Sequence, residues 1–227
     1  MRLAGMRTVI RRLFIIAISA VLIVLVCRAC IDGNSDGYYN NSDSKHYSEN
    51  SELILVNKHH KIPRDYDVGE LVTLSNGEKV SSKIYPSLQQ MFDDARASGL
   101  HLFVASGYRT EKYQRQLLED KEAEYREKGL PWLVAKKKAQ EWVAKPGTSE
   151  HQLGLAVDIN AEEGYSSQKV YGWLNDNCYK YGFIRRYPTN KKDITGVINE
   201  SWHYRYVGKT AAKEIHDRGI CLEEYLD

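Results

Sequence analysis

The stretch SEHQLGLAVD, Ser149 to Asp158, decides how the rest of the chain is read. Leu153, Leu155, Val157 and, one step on, Ile159 alternate with Gly154, Ala156 and Asp158. A period of two places the four apolar side chains on one face of a strand, with small residues around Asp158 on the other. Small neighbours leave room beside that carboxylate for a metal and a substrate. His151 is out of phase with Asp158, so it belongs on the loop entering the strand, from which it can turn back to the same face.

A second stretch, ESWHYRY from Glu200 to Tyr206, has the same character. Trp202, Tyr204 and Tyr206 alternate with His203, Arg205 and Val207, again a strand. Glu200 lies three residues before His203 and would face the other way in a regular strand, so a turn or bulge is expected there. Three mixed nitrogen and oxygen donors, His151, Asp158 and His203, can hold one zinc ion per chain and leave it an open position for water. Glu200, a carboxylate outside the ligand set, is then the general base. Such a site polarises a carbonyl and activates water near neutral pH, the chemistry of metal-assisted hydrolysis. Arg109, in the run SGYR, supplies a forked, permanent cation for a developing oxyanion or a substrate carboxylate. Singly, these residues read as a loop histidine, a turn cap, a sheet histidine and a surface glutamate; their joint spacing outweighs that. His59 and His60 read as exposed residues.

Working outward, Leu88, Met91, Phe92 and Ala95 recur at helical spacing, with Gly99 closing the helix. A buried strand comes next, at residues 100–105, and leads into SGYR. Thr110 caps a charged helix running to about Lys128, stopped by Gly129 and Pro131. Trp132, Ala135, Ala139 and Trp142 mark a further amphipathic face. Val170, Trp173, Leu174, Cys178 and Tyr181 predict another helix, closed by Gly182, and Ala212 with Ile215 a last one before Gly219. Helices and short strands alternate without βαβ regularity, so the class is α+β, with helices flanking the sheet that carries the site.

The first residues differ in kind. Arg2, Arg7, Arg11 and Arg12 precede the apolar run Leu13–Cys27, which places the N-terminus in the cytoplasm and the remainder of the chain outside. The run reads as a membrane anchor or a cleaved signal; the lack of a small-x-small cleavage site favours a single-pass anchor with an extracytoplasmic domain. Residues 1–31 form this basic segment and anchor, residues 32–51 a polar Ser/Asn/Asp/Gly tether, and residues 52–227 the folded domain. A chain of 227 residues with 42% hydrophobic content suits one such domain. A net charge of +2 lacks the basic excess of a nucleic-acid binder. Cys178 and Cys221 lie where a disulfide is permitted, although Cys178 within a helical pattern reads better as a small buried hydrophobe.

SGYR at Ser106–Arg109, SxHxxGxAxD at Ser149–Asp158 and ExWHxxY at Glu200–Tyr206 resemble the zinc D,D-carboxypeptidases of the VanY type, among the LAS metallopeptidases. LVNKHHKIPRDY at Leu55–Tyr66 resembles the opening of that domain, so the likeness covers about Glu52 to Leu226. It implies an antiparallel central sheet holding zinc through His151, Asp158 and His203, with Glu200 as base and Arg109 stabilising the transition state. It also implies that Gln114 and Ser149 hold the substrate backbone or its terminal carboxylate. The expected activity is removal of the terminal D-alanine from peptidoglycan precursors ending in D-Ala-D-Ala, with a bearing on glycopeptide resistance. Alternatives are an L,D-carboxypeptidase, a wall endopeptidase, or a zinc-stabilised wall-binding module without turnover.

Overall fold

In the computed structural model, residues 51–227 are described. The expected anchor and nearly all of the tether lie outside them. Among the described residues no helix is long and apolar enough to cross a membrane.

A hairpin of β1 (Leu71–Thr73) and β2 (Lys79–Ser81) precedes α1 (Tyr85–Ala97) and β3 (Leu102–Ser106). Two helices come next, α2 (Glu111–Glu127) and α3 (Trp132–Ala139). A short 3-10 turn, Glu150–Leu153, leads into β4 (Ala156–Ala161), then α4 (Ser167–Asn177) and β5 (Phe183–Tyr187). The one-turn α5 (Lys192–Thr195), β6 (Glu200–Tyr206), α6 (Lys209–Arg218) and α7 (Leu222–Leu226) complete the chain. The central sheet has the order β3-β4-β6-β5, every pair antiparallel. Strands with helices around an antiparallel sheet make the fold α+β, as the sequence predicts.

The start and stop signals act where their chemistry requires. The Thr110 hydroxyl accepts from the Tyr113 amide at 3.1 Å and caps α2. Gly99, Gly182 and Gly219 each take positive φ just past a helical segment. Leu153, Leu155, Val157 and Ile159 are all buried, and they pack with Leu88, Met91, Phe92 and Ala95 of α1 and Val170 and Leu174 of α4. That face of the sheet is the core. A smaller cluster joins Ile184 and Val207 to Ala211, Ala212 and Ile215 of α6.

Two expectations need correction, while the reading of Cys178 as a small buried hydrophobe holds. Trp132 and Trp142 are about half exposed; only Ala135 and Ala139 of that stripe are buried. Small residues let α3 approach α2 closely, which leaves the tryptophans at the ends of the contact rather than in it. Leu153 belongs to the 3-10 turn, not the strand, because Gly154 breaks the backbone between them. Cys178 and Cys221 are both free and buried. Burial pushes their thiols up, to about 12 and about 11, so neither is a reactive thiolate.

Candidate active site

One row of paired residues forms the floor of the site. Ser106 on β3 is opposite Asp158 on β4, which is opposite His203 on β6. Directly opposed residues share a face with Cβ atoms about 4.5–5.5 Å apart. The row therefore projects away from the core on the face where Ala156 supplies no bulk. Two irregularities tune it. Ala105 is an extra residue in β3 between the pairs Val104–Ile159 and Ser106–Asp158. In β6, Ser201, Trp202 and His203 stand against the single Arg186 of β5, between the pairs Arg185–Tyr204 and Tyr187–Glu200. This bulge re-phases the strand, so Glu200 and His203 come to one site, with 3.8 Å between Glu200 Oε2 and His203 Nδ1.

His151 returns to the row through a tight turn that two glycines permit. Gly154 has φ of +71°, and a Cβ there would stand 2.9 Å from Val68 Cγ2. Gly107, inside SGYR, lies so close to β2 that a Cβ would stand 2.1 Å from the Lys79 carbonyl oxygen. The Gly107 carbonyl accepts from His151 Nδ1 at 2.8 Å. A carbonyl only accepts, so Nδ1 carries the proton and Nε2 has its lone pair free. Nε2 lies 3.4 Å from Asp158 Oδ1. His203 is oriented the opposite way: Nδ1 lies 3.0 Å from Asp158 Oδ1, and Nε2 lies 3.3 Å from Glu150 Oε2. One donor atom from each of His151, Asp158 and His203 lies within 4.8 Å of the others, a group that could hold a metal ion. The donor chemistry fits a zinc-type site: two imidazoles and a carboxylate, each imidazole fixed through its remote nitrogen, with no thiolate.

The remaining predicted residues line the same cleft, of about 450 Å³. Arg109 donates to Asp158 Oδ2 at 2.9 Å and to the Ser106 hydroxyl at 2.9 Å. Its Nη1 reaches Gln114 Oε1 at 3.5 Å, and Gln114, itself buried, donates to the Ala144 carbonyl at 2.8 Å. Ser149 and Glu200 complete the walls. His59 and His60 are exposed and take no part.

The electrostatics divide these groups by role. Burial resists ionisation of Asp158, yet His151 and His203 hold its carboxyl well below the usual range. Burial pushes His151 down, with Asp158 opposing. Burial would also lower His203, but its hydrogen bonds with Asp158 and Glu150 win and push it up to about 9. Glu200 is raised by burial and by the nearby Asp158 charge, against the pull of His203. A carboxyl with raised proton affinity, a few ångströms from the candidate ligands, suits proton transfer.

Sequence reasoning missed a buried ion network behind the row. Glu150 Oε1 accepts from Arg186 Nε at 2.8 Å and Arg205 Nη1 at 2.9 Å. Arg186 also makes a two-pronged pair with Glu223 of α7, at 2.6 and 2.8 Å. Both arginines are fully buried. A signal was available: Arg205 sits two residues after His203, on the same strand face, and an arginine in the middle of a strand that carries the site requires a counter-charge nearby.

Comparisons with known proteins identify the family. Residues 77–209 match the family model of VanY, D-alanyl-D-alanine carboxypeptidase. The chain is 57% identical over 176 residues to an Enterococcus faecalis D-alanyl-D-alanine carboxypeptidase, a match covering 77% of this chain and 65% of that protein. A mutant of the vancomycin-resistance D,D-pentapeptidase VanY from a VanB-type cassette, solved with Zn(II), superposes with a TM-score of 0.75 at 57% identity, covering 78% of this chain and 99% of that one. VanYB in complex with D-alanine-D-alanine gives the same score and identity, covering 78% and 97%. With its motifs in order along the fold and its donor atoms gathered on one row, the chain belongs to the VanY D-alanyl-D-alanine carboxypeptidase family.

Proposed function

We propose that the chain is a zinc D,D-carboxypeptidase that removes the terminal D-alanine from peptidoglycan precursors ending in D-Ala-D-Ala. The observation that carries this reading is the approach of His151 Nε2 and His203 Nδ1 to Asp158 Oδ1, at 3.4 and 3.0 Å, in a cleft also lined by Glu200 and Arg109. Those three atoms would hold the zinc. The chemistry supplied by zinc bound there is polarisation of a carbonyl and activation of water at neutral pH.

The other steps fall to side chains. Glu200 accepts the attacking water's proton and returns it to the departing amine of D-alanine, a transfer its raised proton affinity favours. Arg109, steadied by Ser106 and Asp158, directs its remaining donors at the developing oxyanion or the substrate's terminal carboxylate. Gln114 and Ser149 hold the substrate backbone beside it. Support for the substrate comes from the relatives: the Enterococcus faecalis protein carries this activity in its name, and VanYB was solved with D-alanine-D-alanine. The vancomycin-resistance origin of VanY extends the reading to glycopeptide resistance, since removal of the terminal D-alanine removes the dipeptide such drugs grip. The arginine-flanked apolar run Leu13–Cys27 supports a single-pass anchor holding the domain outside the membrane, where such precursors are displayed.

The test is a panel of peptides incubated with the purified zinc-loaded protein, with the released C-terminal residue (D-alanine from an acid, D-alaninamide from an amide) and the shortened peptide measured by chromatography. A free-acid peptide ending in D-Ala-D-Ala should be cleaved, and its C-terminal amide much more slowly, because buried donors lose their anionic partner. Equal rates on acid and amide would instead mark an endopeptidase, preference for a terminal L,D-bond an L,D-carboxypeptidase, and no turnover on any peptide a binding module.

A further inference from the structure

We infer that Glu150 is a positioning residue that sets the metal-binding tautomer of His203, held for that task by Arg186 and Arg205. This rests on the zinc reading of the site and deepens it. A histidine can ligate a metal through Nδ1 only when its proton resides on Nε2. The group facing Nε2 decides where that proton resides.

In this chain that group is a carboxylate whose orientation is over-determined. Glu150 is buried, and its Oε1 already takes Arg186 Nε at 2.8 Å and Arg205 Nη1 at 2.9 Å. With Oε1 so occupied, Oε2 is the oxygen left to face His203 Nε2, at 3.3 Å. An ionised carboxylate only accepts, so Nε2 donates to Glu150; the proton that Nδ1 shares with Asp158 Oδ1 at 3.0 Å is then the one a metal would displace, leaving the Nδ1 lone pair for the ion.

Neither arginine can swing away to relax this arrangement. Arg205 Nη2 donates to the Glu52 and Ile54 carbonyls, both at 2.9 Å, and its Nε donates to the Tyr206 carbonyl at 3.0 Å. Arg186 is locked by its two-pronged pair with Glu223. The first residues of the domain and its last helix are thereby tied, through two guanidiniums and one carboxylate, to a metal ligand. His151 is set by different means, the Gly107 carbonyl, and to the opposite tautomer. The two histidines are therefore fixed independently, and only His203 depends on Glu150.

Glu150→Gln discriminates this role from simple charge neutralisation. The amide oxygen must turn toward the two guanidiniums, because an NH2 group there would face N–H donors. The NH2 then faces His203 Nε2, which has to accept, and the proton moves to Nδ1, the ligand atom. Loss of such a supporting group typically costs about 10–100-fold in metal affinity. The experiment is zinc affinity, by competition with a chromogenic chelator, for wild type, Glu150→Gln and the core-truncation control Leu88→Ala on α1. It is joined by nitrogen-15 histidine NMR of the zinc-loaded wild type. We expect His203 ligated at Nδ1 with its proton on Nε2, His151 the reverse, Glu150→Gln weaker by that factor, and Leu88→Ala less stable but close to wild type in zinc affinity. Glu150→Gln binding zinc as well as Leu88→Ala would overturn the inference. So would a wild-type His203 without a proton on Nε2, a reading that decides the matter even if the variant fails to fold. A wild type that takes up no zinc would overturn the metalloenzyme reading itself, a result separable from both.

Discussion

Arg186→Met removes a buried charge from the network behind the site while keeping much of the side chain's length. Arg186 is fully buried and bonds Glu150 at 2.8 Å and both Glu223 oxygens at 2.6 and 2.8 Å. In the variant Glu150 retains Arg205, but Glu223 is left with the Asn57 amide at 3.3 Å. Breaking a buried pair by deleting one partner costs about 3–5 kcal/mol, because the other charge stays behind. A domain of this size loses about 2–4 °C in Tm per kcal/mol, so the expected fall is about 6–20 °C. The acid limb should flatten as well. Burial resists ionisation of Glu150 and Glu223, yet the arginines hold both carboxyls below their ordinary range. Groups lowered in this way contribute stability that is full above the unfolded pKa of about 4.3 and is lost as pH falls toward the folded value. Without Arg186 both carboxyls titrate closer to or above the unfolded value, so their contribution at neutral pH is smaller and less is lost as pH falls below about 4.3. Differential scanning calorimetry across a pH series reads both effects. A fall in Tm smaller than the lower bound, or an acid limb as steep as that of wild type, refutes the reasoning.

Two further outcomes concern the site itself. Glu200→Gln should retain zinc and fold but lose about 10²–10⁴-fold in kcat, measured by steady-state D-alanine release, because an amide cannot accept the water's proton; near-native turnover would remove the general base. Gly107→Ala forces a Cβ to 2.1 Å from the Lys79 carbonyl oxygen, so β2 and the SGYR loop must part. That also moves the carbonyl that fixes His151, and Tm and zinc affinity should fall together in thermal melts and chelator competition; a variant matching wild type in both would contradict the contact.

The features legible in the sequence were those that depend on local period and spacing. Alternation through Asp158 and through His203 placed both on strands, and the three-residue gap between Glu200 and His203 required a bulge, which β6 has against Arg186. Long-range partnership was not legible in the same way. The strand Phe183–Tyr187 carries Arg185 and Arg186, which break the apolar signal, and only the fold shows that Arg186 faces Glu150 and Glu223. Glu150 itself sits between Ser149 and His151 in the motif, where its neighbours masked it. The helical stripe from Trp132 to Trp142 was a real period with the wrong weight: its alanines, not its tryptophans, make the contact. The hairpin of β1 and β2 was too short to register as a pattern, yet it supplies the Lys79 carbonyl against which Gly107 packs.

The most direct measurement is the rate of D-alanine release from a peptide ending in D-Ala-D-Ala as metal is stripped from the purified protein and zinc is returned. The account predicts that the rate vanishes with the metal and recovers on addition of one zinc per chain, and that His203→Ala neither retains zinc nor recovers, because two remaining ligands hold it poorly. Undiminished hydrolysis by the metal-free protein, or full recovery by His203→Ala, would contradict it.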